Sequence, residues 1–544
     1  MAAPKRNSVK TGGLIRSSAI YSGFTLISRI MGFVRDLMVT AYMGASATIA
    51  ADAFNTAFAF PNLFRRIFAE GAFAAAFVPA YARSLEKDGE EVADVLAADA
   101  MAVLATATVA LTIVAEFAMP WLMYIIAPGF ASNPAKFHLA IVLTMITMPY
   151  LPCMAIYAHL SGVLNARNRF ILSASAPILL NLWTVMAVLP ARSPVQAAEA
   201  ASVGVILAGI SQAALLWWGC KRSGAHVGFR WPRLTPDIRK LIMLAVPGAI
   251  AASATQINIF VSGILVSHVN GARTWLAVCD RLYQLPQGLV GVAIGVALLP
   301  QLSRAAGADD RQATRAAMDQ AIVFALALCL PAAAALTSIP FFLIDALYRR
   351  GEFTIGDAHQ TASALLQYGW GVPAFVLAQI FNRAFFARQD TKTPMRVGLV
   401  TVAVNIALGV TLFRLIGVAG IAAATATAWW LNVGMMAYRL HRSGQYTPSP
   451  RAISKIIRIV AASVTMGALL GLASHYRGPI QHLLAPVAFH HAKELAILLV
   501  CATAGGAYPL LLFAFGGLTM TELKFAFRRR RGAKAQPVED LSGA

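Results

Sequence analysis

Charged residues are scarce in this 544-residue chain, since Asp, Glu, Lys and Arg together make up only 13% of it. Soluble domains carry about 25% charged residues, whereas here 58% of residues are hydrophobic and the mean hydropathy is +0.65. A soluble core could not bury this much apolar surface. Stretches of roughly 20 apolar residues, long enough to cross the hydrocarbon of a bilayer, recur along nearly the whole chain. The composition therefore predicts an all-α integral membrane protein.

The sequence also lacks the common motifs of metal-binding proteins and of several enzyme classes. The five cysteines are scattered singly and form no CxxC pair, which argues against a metal cluster or a disulfide framework. No GxxxxGK[ST], HExxH or GxSxG motif occurs, so the sequence offers no ATPase, metalloprotease or hydrolase signature. We expect a transporter without a cofactor rather than an enzyme, driven by an ion gradient, the membrane potential or the substrate gradient.

About fourteen membrane spans are predicted from the hydropathy pattern. The basic segment 1–10 leads into a long first apolar stretch, which predicts a retained first helix rather than a removed signal peptide. The predicted spans are 13–42, 50–80, 95–125, 137–164, 170–190, 198–220, 238–268, 273–302, 314–343, 361–387, 396–415, 418–440, 452–475 and 494–517.

The basic residues lie mostly on one side of these spans. Of the 45 Lys and Arg residues, 31 fall on the side of the N-terminus and 8 on the opposite side. By the positive-inside rule both termini are predicted to be cytoplasmic, in a bacterial inner membrane. The asymmetry also accounts for most of the net charge of +21, so no nucleic-acid partner is expected, and the run Arg528–Arg531 is interpreted as a topology signal that also touches anionic membrane lipids.

Three motifs recur at an offset of 221 residues. Residues 78–83 match 299–304, Pro152 matches Pro373, and the segment at 166–168 matches 387–389. Six spans per repeat is an even number, so both copies enter the membrane in the same direction and should be related by a pseudo-twofold axis along the membrane normal. We therefore predict two six-helix lobes, with spans 13 and 14 as an addition: an N-lobe (1–220), a C-lobe (221–445), an appended pair (446–520) and a basic cytoplasmic tail (521–544).

Polar residues inside the spans are concentrated on repeat-equivalent helices 1, 2, 7 and 8, with one more arginine on span 10. An ionisable residue at the centre of a span costs about 2.5–3.5 kcal/mol on insertion scales, so it is a functional candidate by default. The candidates are Arg29, Arg35, Asp36, Asp52, Asn62, Arg65, Arg66, Glu70, Asn258, Asp280, Arg281, Gln284 and Arg383.

The six arginines outnumber their three acidic neighbours, so the predicted cavity between the lobes is cationic. Arginine keeps its proton and its planar fork binds phosphate through two hydrogen bonds, which favours a pyrophosphate or carboxylate-rich cargo. An exporter of cationic drugs with the same fold would instead need acidic or aromatic walls. A membrane enzyme would need catalytic acids at the outer surface, and Asp52 alone does not supply them. The alternative that these charges only stabilise the fold stays open at this point.

Two segments of the chain resemble signatures of the MurJ (MviN) lipid II flippase family. They are Arg29–Asp36 in span 1 and the highly specific run Pro61–Phe73 in span 2. The segments Asp280–Pro300 and Ala387–Pro394 are similar as well, and the resemblance covers essentially the whole chain.

The resemblance implies the fold of the MOP exporter superfamily, with the last two spans forming a groove for a polyprenyl tail. It implies that lipid II moves from the cytoplasmic to the periplasmic leaflet by alternating access, within peptidoglycan biosynthesis. Substrate-binding roles carry over to Arg29, Arg35, Asp36, Arg65 and Arg281, with Asp52 beside them. Gln284 departs from relatives that place an acid there, which puts a charge pair with Arg281 in doubt.

We expect a monomer, with enzymes of peptidoglycan synthesis as candidate partners. A flippase for another polyprenyl-linked oligosaccharide remains the alternative that the arginines do not exclude.

Overall fold

The computed structural model describes residues 11–64, 73–297, 311–488 and 491–517, and within these ranges the regular structure consists of helices alone. The helices are α1 Thr11–Met43, α2 Ala50–Phe64, α3 Phe73–Lys87, α4 Glu90–Ile126, a 3-10 turn at Pro128–Ser132, α5 Pro134–Thr147, α6 Tyr150–Ala166, α7 Phe170–Ser175, α8 Pro177–Val188, α9 Pro194–Arg222 and α10 Pro236–Val266. They continue with α11 Ala272–Ala297, α12 Arg311–Ser338, α13 Pro340–Leu347, α14 Ile355–Gly369, α15 Val372–Phe386, α16 Lys392–Ile416, α17 Val418–Arg442, α18 Pro450–His475, α19 Arg477–Ala488 and α20 Ala492–Ala514.

Ten helical segments in the described ranges are long and apolar enough to cross a membrane. They coincide with predicted spans 3 to 6 and 9 to 14, which confirms an integral membrane protein. The other four predicted spans contain α1 to α3, α10 and α11. These are the spans in which the sequence analysis places most of the intramembrane polar residues.

Several helices begin with the same local device, a short polar residue followed by proline. The side chains of Asn133, Ser193, Thr235 and Ser449 each accept a hydrogen bond from the backbone N–H three residues later, and a proline occupies the first helical position each time. The cap satisfies one of the free N–H groups of the first turn, and proline has no N–H to lose there. Each such cap stabilises its helix by about 1 kcal/mol.

The helix boundaries confirm the internal repeat. Helix α5 begins at Pro134 and α14 at Ile355, while α4 ends at Ile126 and α13 at Leu347; both pairs are 221 positions apart. The backbone repeats in detail as well. Among the described residues other than glycine, a positive φ occurs at Asn168 and at Gln389, each 61°, and these positions too differ by 221.

Two compact units are present. Unit 1 comprises residues 1–281, 347–364 and 402–424. Its core has one cluster around Met119, Leu143 and Tyr150 and another around Phe77 and Leu160, all buried.

Unit 2 comprises residues 282–346, 365–401 and 425–544. Its core joins α13, α18 and α20 through Phe342, Met466 and Leu512. The division of the chain into lobes at residue 220 is not tested by these units and stays a prediction.

Candidate functional site

Asp36, on α1 in unit 1, lies between two arginines. The Nη2 and Nε atoms of Arg35 donate to Asp36 Oδ1 at 2.6 and 3.0 Å, and Arg281 of α11 forms an ion pair with Asp36 Oδ2. The side chain of Arg35 is 10% exposed, that of Asp36 20% and that of Arg281 42%. The structure therefore brings together three of the predicted substrate-binding residues.

This Asp36 cluster (Arg35, Asp36 and Arg281) has an unbalanced charge. Two guanidinium groups face one carboxylate, so one positive charge is left over. Arg35 is held in place because its guanidinium also lies 5.9 Å from the centre of the Phe58 ring. Arg281 is the most exposed member and has N–H groups free of Asp36, so it is the group best placed to bind an anion.

Arg29 lies two turns before Asp36 on α1 and is exposed. The turn that carries it is anchored by Asn181 of α8, whose Nδ2 donates to the carbonyl oxygen of Ser28 at 3.0 Å. Asn181 also lies against Gly32, where an added Cβ would meet its amide at 3.6 Å. A buried asparagine thus holds the turn of α1 that carries Arg29, and the guanidinium of Arg29 takes no part in this contact. Sequence reasoning missed Asn181 because a single asparagine in an apolar span carries no motif.

The other predicted residues fall into three groups. Asn62, Asn258 and Asp280 are half-buried in unit 1. Gln284 is exposed and Arg383 is half-buried, both in unit 2. Arg65, Arg66 and Glu70 lie outside the described residues, so their roles stay predictions.

Asp52 belongs to a separate cluster at the end of unit 1 where α1 is connected to α2. Its carboxylate is fully buried and accepts four hydrogen bonds. Oδ2 accepts from Lys136 Nζ and from the Gly271 N–H, both at 2.7 Å. Oδ1 accepts from the N–H and the hydroxyl of Thr274, at 3.1 and 2.8 Å. We call this set (Asp52, Lys136, Gly271 and Thr274) the Asp52 network.

Lys136 is the partner that sequence reasoning missed. It lies outside the predicted spans, where a basic residue normally stays in water, yet it is buried, with 4% of its surface exposed. Its ammonium also donates to Asn270 Oδ1 at 2.7 Å and lies 4.3 Å from the centre of the Phe130 ring. The charge of Lys136 is balanced by that of Asp52, so this pair leaves no surplus charge for a ligand.

A third network lies at the C-terminal end of α6. Arg167 donates to Asp94 Oδ1 and to the Tyr81 hydroxyl, both at 2.8 Å, and to Glu90 at 3.3 Å. Burial alone would lower the pKa of Arg167, but the hydrogen bond to Tyr81 and the charges of Asp94 and Glu90 raise it. Asp94 also accepts from the His226 N–H at 2.7 Å. The network therefore joins α3, α4, α6 and the connection after α9, and we interpret it as stabilising the fold.

Comparison with known proteins shows the family to which the chain belongs. The family model "Lipid II flippase MurJ" matches residues 39–487. The chain belongs to the MurJ lipid II flippase family.

The probable lipid II flippase MurJ of Rhizobium meliloti (strain 1021) is 37% identical over 534 residues, which covers 97% of this chain and 98% of that protein. The lipid II flippase MurJ of Burkholderia cenocepacia is 31% identical over 527 residues, or 95% and 99%.

Solved structures agree on the fold. A lipid II flippase MurJ in an inward closed conformation matches with a TM-score of 0.72 at 23% identity, covering 94% of this chain and all of that one. An inward-facing multidrug resistance MATE family transporter of the MOP superfamily matches with a TM-score of 0.65 at 12% identity, covering 78% and 98%. The family model and the relatives confirm the predicted family and a transporter rather than an enzyme, and the solved structures confirm the predicted fold.

Proposed function

We propose that this protein moves lipid II from the cytoplasmic to the periplasmic leaflet of the inner membrane by alternating access. Membership of the MurJ family supports the substrate. The observation that supports the mode of binding is the Asp36 cluster, which has a surplus positive charge and an arginine that is 42% exposed.

The chemistry of this cluster suits a pyrophosphate. Guanidinium groups bind phosphate oxygens through two parallel N–H donors, and these charge-assisted bonds are roughly twice as strong as neutral ones. Asp36 uses only part of the donor capacity of Arg35 and Arg281 and keeps both forks oriented. Arg29, exposed on the same helix, would supply a further guanidinium for the headgroup. A cationic drug would be repelled by this arrangement.

The direction of transport follows from the membrane potential. With both termini cytoplasmic, an inside-negative potential favours outward movement of an anion by about 2.3 kcal/mol per charge per 100 mV. The empty cationic site would be drawn back toward the cytoplasm by the same field. The cycle thus needs no bound nucleotide.

The polyprenyl tail would lie along α18 and α20. Helix α20 is fixed to α12, since Tyr508 donates to the Ala327 carbonyl at 2.9 Å. The connection just before α18 is fixed to α12 as well, because Tyr446 donates to Asp319 at 2.7 Å. Apolar side chains on the pair remain open, including Val464, which is 64% exposed, and Leu498, which is 63% exposed. A rigid pair of helices with exposed aliphatic residues is suited to an isoprenoid chain.

The test is the amount of lipid II exposed at the outer leaflet of cells whose only flippase is this protein. Arg29→Ala should reduce exposure to the background of cells without a flippase, because a fixed headgroup contact is lost while α1 stays anchored through Asn181. The matched control is Arg192→Ala, which removes an exposed arginine from the connection between α8 and α9. It should leave exposure unchanged.

Three results would contradict the proposal. Normal exposure with Arg29→Ala, at equal protein level, would remove Arg29 from headgroup binding. Absence of lipid II exposure with the unchanged protein would mean that the cargo is a different polyprenyl-linked oligosaccharide. Efflux of a cationic dye that depends on this protein would favour the exporter alternative.

A further inference from the structure

The internal repeat places opposite charges at equivalent positions. Lys136 and Asp357 are 221 residues apart, and each is the third residue of its helix, α5 and α14 respectively. The cap repeats as well: Asn133 Oδ1 accepts from the Lys136 N–H at 3.1 Å, and Thr354 Oγ1 accepts from the Asp357 N–H at 3.1 Å. The same backbone position therefore holds a buried ammonium in one repeat and a buried carboxylate in the other.

Asp357 is fully buried and, like Asp52, accepts four hydrogen bonds. Oδ1 accepts from the Ser46 N–H at 3.0 Å and from the indole Nε1 of Trp275 at 2.9 Å. Oδ2 accepts from the N–H and the hydroxyl of Thr354 at 3.0 and 2.8 Å. We call this set (Asp357, Ser46, Trp275 and Thr354) the Asp357 network.

The backbones around the Asp357 network are in direct contact. The Glu352 N–H donates to the Ala41 carbonyl at 2.9 Å. Gly351 has a φ of +57°, and a Cβ there would lie 2.1 Å from the same carbonyl oxygen. Gly44 has a φ of +71°, and a Cβ there would lie 2.7 Å from the Glu352 carbonyl oxygen. The connection between α1 and α2 thus fits closely against the start of α14.

The reciprocal contact is built in the same way. The connection between α10 and α11, equivalent to that between α1 and α2, lies against the start of α5. Ser267 accepts from the Gly129 N–H at 3.0 Å, and a Cβ on Gly129 would lie 2.4 Å from the backbone nitrogen of His268. The Asp52 network lies beside this contact. Each carboxylate therefore holds a connection of the opposite repeat.

Each carboxylate also keeps partners within its own repeat. Asp52 and Lys136 both belong to the first repeat, while Asp357, Trp275 and Thr354 all belong to the second. Separation of the repeats at this end would break the bonds to Gly271, Thr274 and Ser46 and would leave each carboxylate partly satisfied. Such a contact can open and close repeatedly, because each carboxylate keeps hydrogen-bond donors from its own repeat: Lys136 for Asp52, and Trp275 and Thr354 for Asp357.

We propose that Asp357 is a positioning residue for the transport cycle and that the Asp357 and Asp52 networks together hold the predicted outer end of the protein closed. This inference rests on the proposed alternating access. Opening toward the periplasm then requires both networks to part, and weakening either one shifts the population toward the outward-open state.

The test measures how fast a cysteine at this end reacts with a membrane-impermeant maleimide added to intact cells. Ala45→Cys supplies the reporter, since Ala45 is fully buried between Gly44 and Ser46. Adding Asp357→Asn should raise the labelling rate about tenfold, because the amide turns a donor toward N–H or O–H groups and loses about two of the four bonds. Trp275→Phe removes one donor and should raise the rate a few-fold.

Ser46→Ala is the matched control. Ser46 contributes its backbone N–H rather than its hydroxyl to Asp357, so this variant should label at the unchanged rate. General loosening of the fold is measured on the purified protein in detergent, where the maleimide reaches both sides: the natural buried cysteines Cys220 and Cys329 report it there, and mass spectrometry assigns the label to each position.

An unchanged rate with Asp357→Asn and with Trp275→Phe would overturn the proposal. Labelling of Cys220 and Cys329 together with the reporter would overturn it as well, because Asp357 would then be needed for folding rather than closure. The measurement needs no lipid II transport, so an error in the substrate would leave its result unaffected.

Discussion

Asp36 and Asp52 lie sixteen residues apart on adjacent helices of unit 1, and both are paired with cations, yet their surroundings differ in kind. Asp52 is fully buried and has four donors, one of them the equally buried Lys136. Asp36 is partly exposed and faces two arginines, one of which is 42% exposed. The first site is saturated by the protein, whereas the second leaves guanidinium donors unused.

This difference separates a closing contact from a binding contact. A buried charge pair with every bond satisfied offers nothing to a ligand and stabilises one arrangement of the surrounding segments. A cluster with surplus positive charge and access to solvent can bind an anion. Removing Asp52 should therefore lower the stability of the protein, whereas disrupting the Asp36 cluster should lower transport.

The largest effect is expected for Asp52→Ala. It leaves the ammonium of Lys136 buried without its counter-charge, and breaking a buried pair in this way costs about 3–5 kcal/mol of folding free energy. The measurement is the thermal unfolding midpoint of the purified protein in detergent. Asp36→Ala is the comparison and should lower the midpoint much less, because Arg281 can remain solvated.

A double variant tests the cause of this loss. Asp52→Leu combined with Lys136→Met replaces both charges by apolar side chains of similar size and should recover the part of the loss that comes from the unpaired ammonium, although the donors of Gly271 and Thr274 stay without an acceptor. If the double variant unfolds at as low a temperature as Asp52→Ala, the charge of Lys136 is not the source of the loss. The carboxylate would then act mainly through Gly271 and Thr274.

The second effect concerns transport rather than stability. Arg281→Ala should lower lipid II exposure at the outer leaflet at least about tenfold, since one charge-assisted contact of about 1.5–3 kcal/mol is lost. The unfolding midpoint should change little because the side chain is half exposed. Arg281→Lys keeps the charge but not the planar fork, so its exposure should be intermediate. Equal exposure for the lysine variant and the unchanged protein would show that charge alone suffices.

Hydropathy and the repeat predicted most of the fold. Apolar length reports the spans directly, and the recurrence at 221 residues is seen again at the starts of α5 and α14 and at Asn168 and Gln389. The Asp36 cluster was also predicted in part, because charged residues inside a span stand out against an apolar background.

The closing contacts were not predicted, for a physical reason. Lys136 and Asp357 lie outside the predicted spans, where a charge normally stays in water and attracts no attention. Their burial depends on pairing across long sequence separations, 84 residues for Asp52 with Lys136 and 311 for Ser46 with Asp357. The one available signal was the offset itself, which places a lysine and an aspartate at equivalent positions.

The smallest effect is expected from removing the helix N-caps next to Lys136 and Asp357. Asn133→Ala removes a cap from α5 and should lower the free energy of unfolding by about 1 kcal/mol. Thr354→Ala removes the equivalent cap from α14 and also the hydroxyl that donates to Asp357 Oδ2, so it should cost about 1 kcal/mol more. Thr354→Ser keeps both bonds and should be nearly neutral. Equal losses for the two alanine variants would mean that the Thr354 hydroxyl acts only as a cap, and that Asp357 is held mainly by Ser46 and Trp275.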